Sequence, residues 1–162
     1  MKRRKLAVVA AISTICFFLV YQYAALSIDY KIDDRLIEIN SELKTLSETY
    51  GLDFFVVYPS STKPPELSDT IPPEVYDGVN KLNVEVVYFN NSPGEKMAAY
   101  YINRPPFSFG PSRYYLYKEN DRLDEDIVPS LEDAIRQQDG PPYFLCQRAE
   151  MPHWFFCAAS DP

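Results

Sequence analysis

The stretch PYFLCQRAEMPHWFFCAAS, residues 142–160, decides how this chain closes. Two runs rich in aromatic residues flank the sequence Glu-Met-Pro-His, and this pattern is typical of a β-hairpin. If the chain turns at Met151 and Pro152, Cys146 lies opposite Cys157 across the two strands. We therefore predict a disulfide between these cysteines, which places this part of the protein in an oxidising compartment.

The chain before this hairpin divides into helices and runs of strands. Helices are predicted over 32–50, 72–82 and 129–138, and strands over 52–58, 84–89, 96–103 and 113–119. Strands that follow one another in runs are typical of an α+β fold, because a parallel sheet would alternate strands with helices. Only the first strand–helix–strand unit has room for a parallel pair. We predict an antiparallel-rich sheet with one long helix and two short ones.

The long helix carries an apolar seam whose members are spaced 4-3-4-3-4, and the seam stops at Gly51, a residue that commonly ends helices. Its members are Ile32, Leu36, Ile39, Leu43, Leu46 and Tyr50. Two uses fit a heptad seam: packing on the domain's own sheet, or pairing of one part with a helix of another membrane protein. The second use makes Leu36, Ile39, Leu43 and Leu46 candidates for partner binding.

Aromatic residues often occupy consecutive strand positions, as at 100–101 and 114–115. Consecutive side chains point to opposite faces, so both faces of the sheet carry large apolar groups. The second face is covered by the protein's own helices, by a partner or by a small amphipathic ligand. Phe107 and Phe109, within RPPFSFGPS (104–112), are candidates for exposed anchor residues, and a loop folded back over the core explains them as well.

The amino-terminal part has the composition of a membrane segment. Residues 6–28 are 23 residues without a charge, preceded by Lys-Arg-Arg-Lys, and about 20 apolar residues suffice to cross a bilayer. The positive-inside rule predicts a cytoplasmic tail over 1–5, a transmembrane anchor over 6–28 and an extracytoplasmic domain over 29–162 that begins with the long helix. The alternative is a cleaved signal peptide, with Ala25 and Ser27 as the small residues before the cut.

The charge of the chain argues against direct nucleic-acid binding. The formal net charge is −7, and four of the 16 basic residues precede the apolar segment, so 12 basic and 23 acidic residues follow it. Such an acidic domain repels phosphate backbones, and no basic stripe or zinc-finger spacing is present. The acidic surface instead suits an inhibitor or immunity-type protein that neutralises a basic toxin or hydrolase.

Residues that carry chemistry are few. His153 is the only histidine, which excludes a histidine-based metal cluster, and the two outer cysteines are expected to bond each other rather than serve as nucleophiles. His153 is a candidate pH sensor, with a solvated turn histidine as the alternative. The acidic run NDRLDEDI (120–127) lacks the spacing and glycine of a calcium loop and predicts a solvated turn. We predict no enzyme and no cofactor; an envelope enzyme would need a polar cleft assembled by the fold.

In layout the chain resembles the ToxS-like accessory proteins of ToxR-type membrane-bound transcription activators, including the partners of activators that control fimbrial genes. The matching features are the short basic tail, the single anchor and a periplasmic domain with a cysteine pair near its end. The resemblance implies a bacterial inner-membrane protein with its main domain in the periplasm, where it binds and protects the activator and helps to present it as a dimer. It also implies a complex that senses a ligand or pH.

Overall fold

The computed structural model describes residues 13, 31–58, 73–102, 110–123 and 126–160. All elements given below belong to one compact unit, Tyr30–Asn103 with Gly110–Pro162. Of the predicted membrane segment 6–28, only Ser13 is described, and it is helical. Within the described ranges, no helix is both long enough and apolar enough to cross a membrane. Apart from Ser13, the predicted anchor lies outside the described residues.

Helices and strands follow one another in the predicted order, with one strand added. They are α1 (Asp34–Tyr50), β1 (Phe54–Val57), α2 (Pro73–Lys81), β2 (Val84–Asn90), β3 (Met97–Ile102), β4 (Ser112–Lys118), β5 (Asp126–Ile127), α3 (Leu131–Arg136), β6 (Tyr143–Arg148) and β7 (Trp154–Ser160). The sequence predicts a solvated turn over 120–127. At its end, however, Asp126 and Ile127 form β5, which pairs with Leu145 and Cys146.

The seven strands form one sheet in the order β1-β2-β3-β4-β7-β6-β5, so the predicted antiparallel-rich α+β fold is confirmed. Every neighbouring pair is antiparallel except β5–β6. The first strand–helix–strand unit was the one expected to have room for a parallel pair, and this expectation is wrong, because β1 and β2 are antiparallel. The parallel pair is β5 and β6, the strands on either side of α3 in the chain. The chain between β1 and α2 is long enough to reverse direction, whereas β5, α3 and β6 form a compact crossover.

Helix α1 has a defined start and end. Asp33 caps its first turn by accepting a hydrogen bond from Arg35 N at 2.9 Å. Gly51 follows its last turn at φ 64°, a left-handed conformation that glycine adopts without steric cost. The seam between these ends is turned to the sheet, and its central side chains are at most 5% exposed: Leu36, Ile39, Leu43 and Leu46. Tyr50, the last seam residue, is exposed.

The helices cover one face of the sheet. Beneath them lie the large side chains of Phe55, Phe89, Tyr100, Trp154 and Phe156, all in one apolar cluster with the α1 seam. The buried Tyr100 hydroxyl donates to Asn40 Oδ1 at 2.9 Å, which satisfies two polar groups that would otherwise be costly in a core. The burial of this face supplies the hydrophobic stabilisation of the domain.

The carboxyl-terminal hairpin has the predicted geometry. Cys146 is directly opposite Cys157 on β6 and β7, their Cα atoms are 4.2 Å apart, and the two sulfur atoms are bonded. The turn is closed by Ala149 N, which donates to Trp154 O at 2.9 Å, and it contains Met151. The predicted turn and disulfide are both confirmed.

Candidate partner-binding surface

A row of aromatic side chains crosses the sheet face opposite the helices. Tyr101 on β3 is directly opposite Tyr114 on β4, and Tyr88 on β2 and Phe144 on β6 extend the row to either side. Ring centroids are 5.5 Å apart for Tyr88–Tyr101, 4.7 Å for Tyr101–Tyr114 and 5.8 Å for Tyr114–Phe144. We call these four residues the aromatic row. It is continuous because each ring lies within stacking or edge contact of the next.

The ends of the aromatic row are open and its middle is enclosed. Tyr88 is 37% exposed and Phe144 is 36% exposed, whereas Tyr114 is buried. Burial, and then contact with the Tyr58 hydroxyl, raises the pKa of Tyr88, so this phenol stays neutral at physiological pH. The row is therefore an uncharged surface within a chain of net charge −7.

The aromatic row rests on a firmly connected part of the sheet. Cys157 lies opposite both Tyr114 and Cys146, so the disulfide joins β6 to β7 directly beside the row. Phe155 is fully buried on the same face, and the Arg148 guanidinium carbon lies 4.8 Å from its ring centroid. Aromatic side chains held in this way lose little conformational entropy when a partner covers them.

Hydrogen bonds connect the hairpin turn to the loop that follows β4. Asp121 Oδ1 accepts hydrogen bonds from Arg148 Nη1 at 2.6 Å and from His153 N at 3.2 Å. The hydrogen bond from Arg148, then its charge, and then the contacts with His153 lower the pKa of the Asp121 carboxyl. His153 has φ 70°, and none of the described residues forms a hydrogen bond with its buried Nδ1. Its proposed role as a pH sensor stays a prediction.

A second polar cluster lies where α1 meets the ends of β2 and β3. Glu119 forms ion pairs with Lys44 at 2.9 Å and with Lys96 at 3.2 Å. Hydrogen bonds from Lys44 and Lys96 lower the pKa of Glu119, with Lys44 the larger influence. The cavity that these residues border with Asn40 and Tyr117 has a volume of about 10 Å³. It holds about one water molecule and is too small for an amphipathic ligand.

The other predicted contact residues do not contribute to this surface. The four seam candidates, Leu36, Ile39, Leu43 and Leu46, are buried in the domain's own core and offer no free face to a helix of another protein. Of the two uses that fit the seam, packing on the domain's own sheet is the one observed, because the sheet is the nearest large apolar surface. Phe107 and Phe109 lie outside the described residues.

Sequence reasoning found the aromatic pairs and missed their arrangement as a row. The signal was the doubled aromatic residues of β3 and β4, but only the pairing register shows that Tyr101 meets Tyr114. Within the described part of the chain, no group of three histidine, cysteine, aspartate or glutamate side chains is placed to hold a metal ion. The exposed part of the site is thus defined by its aromatic surface.

These features define a disulfide-closed α+β domain with an aromatic surface on the sheet face opposite its helices. No protein-family model, no curated protein and no solved structure matches the chain.

Proposed function

We propose that this protein is a non-catalytic regulatory partner, anchored in the bacterial inner membrane by residues 6–28, that binds and stabilises a ToxR-type transcription activator in the periplasm. The observation that carries the proposal is the aromatic row. Its exposed ends, Tyr88 and Phe144, present apolar area on a rigid sheet. Large aromatic side chains on such a base are the residues that most often dominate protein–protein binding energies.

The physical requirements of the role agree with the chemistry of the surface. A partner that is tethered to the same membrane meets this domain at high effective concentration, so a modest apolar interface suffices for stable binding. The chain's net charge of −7 favours a partner that carries basic residues, since complementary charge steers association and selects the partner. A periplasmic complex of this kind transmits a signal through the activator, and the accessory protein needs no catalytic group of its own.

The test is purification of the tagged full-length protein from its native cell in mild detergent, followed by mass spectrometry of the bound proteins. We expect a single-pass membrane protein with a helix-turn-helix domain. The double substitution Tyr88→Ser and Phe144→Ser removes the exposed ends of the row and should reduce recovery of that protein at least tenfold. Tyr50→Ser is the matched control, because it removes an exposed tyrosine at the end of α1 that does not belong to the row.

Two results would contradict the proposal. Recovery of a soluble basic enzyme would favour an inhibitor or immunity-type function that uses the acidic surface. Equal recovery of the activator with the wild-type protein and the double variant would mean that the aromatic row does not bind it. The near-ultraviolet circular dichroism of each variant shows whether the sheet has kept its packing, so a loss of binding is separated from a loss of fold.

A further inference from the structure

The sheet ends on one side at β1, and the outer edge of this strand is unoccupied by any described residue. Strand β1 pairs with β2 through Phe54–Val57, and it is the terminal strand in the sheet order. An edge of this kind presents backbone donors and acceptors that another strand can use.

The alternation of backbone groups shows which residues face outward. Asn91 N donates to Asp53 O at 2.7 Å, so Asp53 directs its carbonyl toward the β2 side. In an antiparallel pair the direction alternates from one residue to the next. Phe54 and Val56 therefore direct their N–H and C=O groups away from β2, and Tyr58 continues the same side. These three residues carry the free hydrogen-bonding edge.

This edge lacks the features that usually protect an edge strand. Residues 54–58 contain no charge and no proline, and their pairing with β2 runs without a bulge. The opposite edge, β5, is only two residues long and includes Asp126. Moreover, three of the six exposed large apolar side chains among the described residues lie on β1, directly after it or opposite it on β2: Phe54, Tyr58 and Tyr88. These features indicate that another strand pairs with the β1 edge.

We propose that a second copy of this chain covers it, with the two β1 strands paired antiparallel and Val56 opposite Val56 of the partner subunit. This register joins outward-facing residues only. It places Phe54 opposite Tyr58 of the partner subunit at both ends of the pair, and aromatic cross-strand pairs of this kind stabilise sheets. The result is one sheet of 14 strands, twice the seven described in each chain, with a two-fold axis midway between the two Val56 residues.

A second copy fits this edge because the edge is symmetric about Val56 and uncharged. The two exposed aromatic residues, Phe54 and Tyr58, lie two positions before and two positions after it, on the same face of the strand. Elsewhere two copies of a chain with a net charge of −7 repel each other, so an interface between copies is favoured where charge is absent. Strand β1 meets both conditions, because it is symmetric about Val56 and carries no charge.

Cysteine cross-linking of the purified full-length protein in mild detergent tests the register. A Cys16→Ser background leaves only the bonded pair Cys146 and Cys157, and Val56→Cys is added to it. Residues opposite each other in a hydrogen-bonded pair have Cα atoms about 5.5 Å apart, which suits a disulfide. We expect mild oxidation to give a covalent product of twice the 18.7 kDa of one chain.

Two further cysteine variants check the same register. Phe54→Cys alone should give no product, since the two copies of residue 54 would lie about 13 Å apart along the strands. A mixture of Phe54→Cys and Tyr58→Cys chains should cross-link. Product from Phe54→Cys alone, or none from the mixture, would overturn the proposed pairing.

Light scattering of the untreated protein tests the association itself. We expect the mass of a dimer for the wild type and half that protein mass for Val56→Lys, which places two ammonium groups opposite each other. Ile127→Lys, a similar change at an exposed position of the distant strand β5, should remain dimeric. A monomeric wild type, or a dimer that survives Val56→Lys, would refute the proposal. The proposal would also be refuted if, in cells, the Val56→Cys variant formed a disulfide with another protein and not with a second copy of this chain. Because purified chains alone are used, these results do not depend on the activator proposed above.

Discussion

Loss of the disulfide should lower the stability of this domain by an amount that its loop length sets. Cys146 and Cys157 are 11 residues apart, and closing a loop of that size restricts the unfolded chain by about 3 kcal/mol. Both sulfur atoms belong to buried residues, so replacing them also removes some packing. For the double variant Cys146→Ala and Cys157→Ala we expect a loss of about 3 kcal/mol in the free energy of unfolding, or roughly 10 °C in the melting temperature.

Trp154 provides the assay. It is the only tryptophan, it is buried, and its ring lies 5.3 Å from that of Tyr117, so its fluorescence should change when the hairpin separates from the sheet. Urea titration of the full-length protein in mild detergent gives the free energy of unfolding for the wild type and the double variant. Reductant should destabilise the wild type and leave the double variant unchanged. If the free energies of unfolding of the wild type and the double variant differ by less than about 0.5 kcal/mol, the cross-link does not restrict the unfolded chain and the reasoning is refuted.

Three further outcomes follow from the structure. Leu43→Ala opens a cavity at a fully buried seam position and should lower the free energy of unfolding, measured by urea titration, by about 2–5 kcal/mol. A loss below about 1 kcal/mol would show that the seam does not belong to the core. Lys44 and Lys96 lower the pKa of Glu119 in the folded protein. The ionised carboxylate therefore stabilises the fold at a pH above its ordinary pKa, and this stabilisation is lost as the pH falls through the lowered pKa of the folded state. Glu119→Gln should therefore flatten the acid side of a stability–pH curve, and an unchanged curve would exclude this role. His153→Gly relieves a left-handed backbone at φ 70° and should keep or raise the melting temperature; a clear fall would mean that the imidazole makes a necessary contact.

The sequence was most informative where the pattern and the turn chemistry agree. The 4-3-4-3-4 spacing defines both the helix and the face that it buries, and Gly51 marks its end at the residue where the backbone becomes left-handed. The hairpin could be predicted because the turn at Met151 and Pro152 lies midway between the two cysteines. Both features depend on residues close together in the chain, and short-range geometry is what a single sequence expresses best.

Long-range pairing was less accessible. Strand β5 could not be found because two residues, Asp126 and Ile127, show no periodicity, and their acidic surroundings are typical of a turn. The choice between the two uses of the α1 seam depends on which apolar surface lies nearest, and that is a property of the folded sheet. The aromatic row likewise depends on register, because a shift of one residue would move Tyr101 to the opposite face.

The position of β7 in the sheet has a consequence for how the domain is assembled. This strand comes last among the described elements along the chain, yet it lies between β4 and β6. During vectorial synthesis, β1 to β4 can associate in turn, but β6 has no neighbour on the β4 side until residues 154–160 emerge. The incomplete sheet meanwhile exposes the free edge of β4, so a nascent chain is open to wrong strand partners until residues 154–160 arrive. A stop codon before residue 154 should therefore yield aggregates rather than a shortened but folded protein.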